Sequence, residues 1–427
     1  MTDQMAAASQ SQSRLAEFRQ GWPVILGAAM GVGAGMTGMV FYTLGLFFEP
    51  LAREFGWSRG ALSQAPLFLT GSMVFLAPLV GRLSDRVGVR WVGLVSLVGA
   101  ALALAIFTQI GPGVWTYHAG WILFAVLAAG TIPVVWTRAV NAVFDRARGL
   151  ALGFTLTGTG VAAAAMPPFV GWLIDDFGWR GGYLGMAAFI LAVAVPVVWV
   201  FFRAGTGPAA AAGRADDGKA EPGMALPVAL RQTTFWMIGV GFLLISFGIG
   251  GLIVHMPPIL RGAGLSAQQA GAVAGLLGLT VIGGRLAVGF LVDRFHAPLV
   301  AFVFLCCPIA SCLLLADPAS VTAVAPLAIL LLGLAAGAEV DLVAYLTSRY
   351  FGMRAYGEIY GYHLAFFAAG AGLGPFTLGT LYDATGGYAT ALYLCAGLFL
   401  IGATLIGLLG RPSPLATAPA AASARAS

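Results

Sequence analysis

The residues best placed to do chemistry are charged side chains set inside apolar sequence. Arg285 lies within Gly278 to Phe295, GLTVIGGRLAVGFLVDRF, a glycine-rich stretch that ends in Asp293, Arg294 and Phe295. As a helix rising ~1.5 Å per residue, this stretch puts Arg285 roughly 12 Å from Asp293. A cation at that depth in a bilayer costs about 2.5–3.5 kcal/mol on insertion scales, so it faces a cavity or a partner rather than lipid. Glu339 and Asp341 stand in a second apolar run, with Arg349 eight residues beyond Asp341. Carboxylates at such depth serve as proton relays or cation sites. The alternative is a structural ion pair, Asp341–Arg349 or Glu339–Arg138. Asp341, Tyr345 and Arg349, at i, i+4 and i+8, share one helix face. His363 is a lone histidine in a third run, where it suits either proton transfer or packing. His255, just before Pro257 and Pro258, reads as a residue that ends or caps a helix. His118 and His296 lie at the periphery.

The elements that must hold these residues follow from composition. The chain of 427 residues is 59% hydrophobic and 9% charged, with a mean hydropathy of +0.90. A soluble domain carries about 25% charged residues. Repeated runs long enough to span a bilayer as helices define an all-α polytopic membrane protein, and their continuity excludes a β-barrel. Twelve apolar segments run near 21–48, 60–82, 91–110, 115–142, 150–174, 181–202, 233–257, 267–291, 297–316, 320–348, 357–382 and 388–410. The expected organisation is a tail at 1–20, a six-helix bundle at 21–203, a linker at 204–230, a second bundle at 231–411 and a tail at 412–427. From Ala204 to about Pro227 the linker is rich in Ala, Gly, Pro and charge, and reads as mobile.

The arginines set the orientation. With the termini and the loops after even-numbered segments on one side, sixteen Lys and Arg residues fall there against four on the other. The positive-inside rule places both termini and the linker in the cytoplasm. Arg138 and Arg285 are the two left inside segments. The net charge of +5 is scattered through loops, which excludes a nucleic-acid footprint. The first 18 residues are polar and carry no signal-peptide core.

The two bundles are copies. A shift of 208 maps Pro50, Arg53, Gly56 and Ser58 onto Pro258, Arg261, Gly264 and Ser266. It also maps Gly81, Asp85 and Arg86 onto Gly289, Asp293 and Arg294, and Gly171, Asp175 and Gly178 onto Gly379, Asp383 and Gly386. Arg146, Gly149 and Gly153 likewise fall on Arg354, Gly357 and Gly361. Parallel repeats place a substrate near the bilayer midplane, between halves that rock about it. The shift sets Ala77 against Arg285, so the arginine is not part of the shared scaffold and has a role of its own.

With these features the chain resembles the major facilitator superfamily. Gly81 to Arg90, GRLSDRVGVR, matches that family's signature loop between helices two and three, and Gly289 to Arg294 is its weaker echo. The resemblance implies that Gly81, Asp85 and Arg86, with Gly289, Asp293 and Arg294, form a cytoplasmic gate. Within the superfamily the second half is similar to the monocarboxylate-transporter and oxalate/formate-antiporter branch. The carrying residues are Pro258 to Ser266, Gly284-Arg285, Arg349-Tyr350-Phe351-Gly352 and Gly357 to Gly361. There, an arginine at the position of Arg285 binds the substrate carboxylate, a task suited to a planar, always-charged fork. Tyr42 falls where monocarboxylate carriers place a lysine, and His363 where oxalate/formate members have a second cation. Matching segments four and ten sets Arg138 opposite Tyr345, both on cavity-lining helices of this superfamily. The chain departs at Val281, where proton-coupled relatives carry an aspartate one turn before the arginine.

Other chemistry is excluded or bland. No GxxxxGK[ST] loop occurs, so transport is secondary, and the histidines form no cluster that an enzyme would need. The four cysteines sit in apolar runs without metal spacing and read as inert buried thiols. The glycines and prolines of segments five and eleven are explained by close packing and kinks, without invoking the antiporter motif of drug exporters. The expectation is a proton-coupled symporter of a monocarboxylate in a bacterial inner membrane, a monomer without cofactors, whose partners are a small organic anion, protons and lipid. Arg285, Tyr42, Arg138, Tyr345 and His363 would bind substrate, and Asp341 or Glu339 would carry the proton. An exporter of amphipathic compounds and an anion exchanger are the alternatives. An apolar cavity with Arg285 buried in an ion pair would favour the exporter, and an arginine able to reach solute would favour the carboxylate carrier.

Overall fold

The computed structural model describes residues 2–144, 148–202, 223–292 and 294–411, excluding the side chains of 2–16, 74, 77, 78, 85, 148 and 149. Asp293, the Asp85 side chain, most of the linker and the tail at 412–427 therefore lie outside the described residues.

Apolar sequence of this length folds into helices because each helix satisfies its own backbone hydrogen bonds, which lipid cannot do. All twelve segments are helical. We number them α1 (Glu17–Ala34 continued at an angle of 41° by Met36–Phe55), α2 (Ala65–Val87), α3 (Val89–Phe107) and α4 (Val114–Leu127 with Pro133–Val143). Next come α5 (148–177), α6 (179–201), α7 (Thr233–Gly262), α8 (Ala267–Val292), α9 (Ala297–Leu315), α10 (Val321–Phe351), α11 (Tyr356–Thr385) and α12 (Ala389–Gly407). Among the described residues, eight helices are long and apolar enough to cross a membrane unaided, or nine with the bent α1. Ile132-Pro133 breaks α4, and α5 and α6 run together as one helical stretch turned at Gly178.

The repeat is visible in the backbone. Gly56 and its equivalent Gly264 have φ of 70° and 96°, and Gly178 and Gly386 have 71° and 74°. This left-handed region favours glycine, so the same turns end the same helices in both halves. Buried side chains gather into two cores, one drawn almost wholly from 24–202 and the other from 224–409. Large apolar side chains elsewhere point outward, among them Trp115, Leu286, Phe290 and Leu408, as lipid contact demands.

The halves meet along α5–α8, α2–α11 and α1–α7. Small residues make this possible. A side chain at Gly278 would collide with the α5 backbone at Gly160 and Ala164, and one at Gly45 would collide with the Val254 carbonyl. The end of the linker is anchored rather than mobile: Gly223 bridges to Gly352, the Met224 amide donates to the Phe351 carbonyl at 2.8 Å, and the Met224 side chain is buried.

Candidate functional site

Arg285 is held by backbone contact between α8 and α10. Gly284 packs against the backbone of Leu334, and a Cβ at Gly337 would lie 2.9 Å from the Arg285 amide nitrogen. With the helices this close, side chains two and four residues past Gly337 come alongside the guanidinium. Arg285 Nε donates to Asp341 Oδ2 at 3.1 Å, with 15% of the arginine side chain and 35% of the aspartate exposed. Glu339, on the same helix, is buried, and its Oε2 has no hydrogen-bond partner. The Arg285 charge acts on Tyr42, Glu339 and Asp341 alike, and the Asp341 charge reaches Tyr360 of α11. The structure thus brings together Arg285, Tyr42, Glu339 and Asp341, from α8, α1 and α10. A fixed cation beside one solvated and one buried carboxyl can exchange an internal anion for an external one as a proton comes and goes.

Other expected site residues fall elsewhere. His363 is fully buried: Nδ1 pairs with Thr347 Oγ1 at 2.8 Å, and Nε2 pairs with the Phe235 carbonyl at 3.2 Å. The rings of Phe235 and Phe351 enclose it, so it ties α7, α10 and α11 together inside one half. The Tyr345 hydroxyl donates to the Val292 carbonyl at 3.4 Å, turned to the end of α8. Arg138 is an exposed residue on the second part of α4, in the opposite half. Asp341 pairs with Arg285 in place of Arg349. Tyr360 was missed, although its position three residues before His363 on α11 offered a sequence signal.

Of the residues expected at the gate, Gly81 and Gly289 face open space, Arg86 is exposed, and Arg294 lies 3.6 Å over the Phe290 ring. Polar contacts between the halves are found at the opposite end of the bundle. Asp175, at the end of α5, accepts the amides of Ala267 and Gln268 at 3.2 and 2.7 Å, capping α8. Its repeat equivalent Asp383, at the end of α11, accepts those of Arg59 and Gly60 at 3.0 and 2.7 Å, just before α2. Glu49 of α1 pairs with Arg261 of α7 at 2.8 Å. His255 does not end its helix. It is fully buried at this seam, against Ser63 of the other half.

A family model described as Major Facilitator Superfamily matches residues 30–375. The chain belongs to the major facilitator superfamily, whose members are membrane transporters rather than enzymes. Monocarboxylate transporter 11 of Mus musculus is 27% identical over 411 residues, covering 92% of this chain and 89% of its own. The crystal structure of a bacterial homolog of the human lysosomal transporter Spinster, inward-facing and unoccupied, superposes with a TM-score of 0.68 at 16% identity, covering 92% of this chain and 96% of its own. The nucleoside transporter NupG gives 0.69 at 14%, covering 90% and 97%. These two likenesses establish the fold alone.

Proposed function

We propose that this chain is a secondary transporter of a small organic anion, a monocarboxylate, moved together with protons by alternating access. The observation that carries this reading is the Arg285–Asp341 pair, made through Nε at 3.1 Å and partly open to solvent. An apolar cavity with Arg285 buried in an ion pair would favour an exporter of amphipathic compounds. Here Asp341 keeps 35% of its side chain exposed, so a solute carboxylate can compete for the guanidinium. Proton-coupled relatives carry the partner aspartate one turn before the arginine. In this chain that position is Val281, and Asp341 brings a carboxylate to the same cation from the neighbouring helix. A proton on Asp341 would release Arg285 to an incoming carboxylate, and loss of the proton would expel it. Glu339 is the second candidate for the proton, and Tyr42 would close the site from α1.

The same reading assigns the bundles 21–203 and 231–411 to the rocking halves, with the Gly81 and Gly289 end open to the cytoplasm of a bacterium. The test is uptake of labelled short monocarboxylates into proteoliposomes, with and without an inward proton gradient, for wild type and Arg285→Ala. Gradient-driven uptake lost in the variant supports the reading. Uptake that needs a carboxylate on the opposite side makes the protein an exchanger, and no carboxylate flux in either protein refutes the substrate class.

A further inference from the structure

Among the contacts between halves, the group around His255 has no counterpart across the repeat. Asp175 and Asp383 are equivalent, and so are Ser58 and Ser266. The position equivalent to His255 is Phe47, that of Ser63 is Gly271, and that of Tyr388 is Arg180. By the reasoning that separates Arg285 from the scaffold, these three residues on the α2–α7–α11 side have a role beyond packing.

Their hydrogen bonds admit a single direction. Arg59 Nη1 lies 2.9 Å from the Tyr388 hydroxyl oxygen and can only donate to it. The hydroxyl therefore gives its own hydrogen to His255 Nδ1, at 2.9 Å. On the other side of the ring, Nε2 lies 2.9 Å from the Pro375 carbonyl, which can only accept. Ser63 Oγ, 3.2 Å from Nε2, has its hydrogen committed to the Arg59 carbonyl at 2.6 Å, so it too accepts. Only the neutral imidazole with its hydrogen on Nε2 satisfies every partner. The chain Arg59 to Tyr388 to His255 to Pro375 crosses from the first half to the second, and Ser63 closes it back to the first.

We propose that His255 is a proton-operated latch of this closed end, a coupling residue distinct from the Arg285 site. A proton taken from water onto Nδ1 replaces an acceptor with a donor facing the Tyr388 hydroxyl. That hydroxyl, already accepting from Arg59, must turn its hydrogen away. The new imidazolium also repels Arg59, whose guanidinium stacks on Tyr382 at 4.1 Å. Among the described residues the acid at the cluster is Asp383, and both its oxygens accept from the Arg59 and Gly60 amides. From α1 the ring meets Phe48 edge-on, while the adjacent Glu49 is turned to Arg261 and Arg53. Asp383 attracts the imidazolium, but Arg59 repels it more strongly, so the added charge is not fully offset and the α2–α11 contact weakens. Protonation opens this end, and closing it releases the proton.

The proposal rests on reading the closed end as a gate, and its test needs no substrate, so it stands apart from the carboxylate assignment. Spin labels at Gln109→Cys and Ala384→Cys, both exposed at this end, report its opening by pulsed dipolar distances in nanodiscs. The four native cysteines are first replaced by alanine. In otherwise unchanged protein, the open-to-closed ratio should rise as pH falls from about 8 to 5, by up to about tenfold per pH unit. His255→Gln keeps an N–H toward Pro375 but takes no proton, so its distances should not respond to pH. Tyr388→Phe keeps the ring but removes the hydroxyl that links His255 Nδ1 to Arg59, and should flatten the response. A pH-independent distribution in the unsubstituted latch overturns the proposal, as does an unaltered pH response in both variants.

Discussion

Replacing Asp341 by Asn tests what the Arg285–Asp341 pair is for. The carboxylate accepts one hydrogen bond from Nε at 3.1 Å, with 15% of the arginine side chain and 35% of the aspartate exposed. A hydrogen bond to a charged group contributes about 1.5–3 kcal/mol. A fully exposed ion pair contributes about 0–1 kcal/mol. The half-open geometry falls between, at about 1–2 kcal/mol. A substrate carboxylate that takes the place of Asp341 must overcome this amount, so Asp341→Asn should tighten anion binding by about 5–30-fold. The amide takes no proton, so the same change should abolish the acid dependence of affinity. In wild type, acid neutralises Asp341 and frees Arg285, and affinity should rise as pH falls. The assay is calorimetric titration of the purified protein in nanodiscs with a panel of short monocarboxylates, at mildly acidic and mildly alkaline pH. Weaker binding in Asp341→Asn with the acid dependence intact would refute the reasoning. Asp341 would then be a strut for the guanidinium, and the proton would sit elsewhere, first of all on Glu339.

Two further outcomes follow from the packing. His363→Ala removes a buried ring that bonds Thr347 and the Phe235 carbonyl, so it should lower stability in detergent by about 1–3 kcal/mol while leaving substrate KM unchanged; a KM effect without a stability loss would return it to the cavity. Asp175→Ala and Asp383→Ala each remove a cap of two backbone amides present only when the seam is closed. Each should cost the closed state about 0.5–2 kcal/mol, a drop of about 2–30-fold in the closed-to-open ratio. The double variant should show the two effects added, read from the same label pair, and strongly unequal single effects would contradict the equivalence of the two caps.

The features legible in the sequence are those that repeat or that break a local rule. Twelve apolar runs and a shift of 208 define the architecture, and Gly56, Gly178, Gly264 and Gly386 adopt the left-handed turns that their matched positions imply. Arg285 stands out because a charge in apolar sequence needs a reason. Its partner was not legible. Periodicity along one helix favours Arg349 for Asp341, whereas the choice depends on how closely two different helices approach, and Gly284 and Gly337 set that distance. His363 and His255 show the same limit from both directions. Each is a histidine in apolar sequence, and spacing along the chain cannot tell which one sits within a half and which lies at the seam. His363 finds Thr347 and the Phe235 carbonyl inside its own half, where no rocking motion disturbs them. His255 finds Ser63 across the seam, so its bonds can persist only while this end is shut. A titratable group whose partners lie in both halves has its proton affinity tied to the conformation, by the same linkage that ties any binding equilibrium to a two-state change. Arg285, Asp341 and Glu339 lie on two helices of one half, and Tyr42 reaches them from the other. The proposed substrate site and the proposed latch are therefore separated in space, joined through α1, which carries Tyr42 toward the arginine and Phe48 against His255.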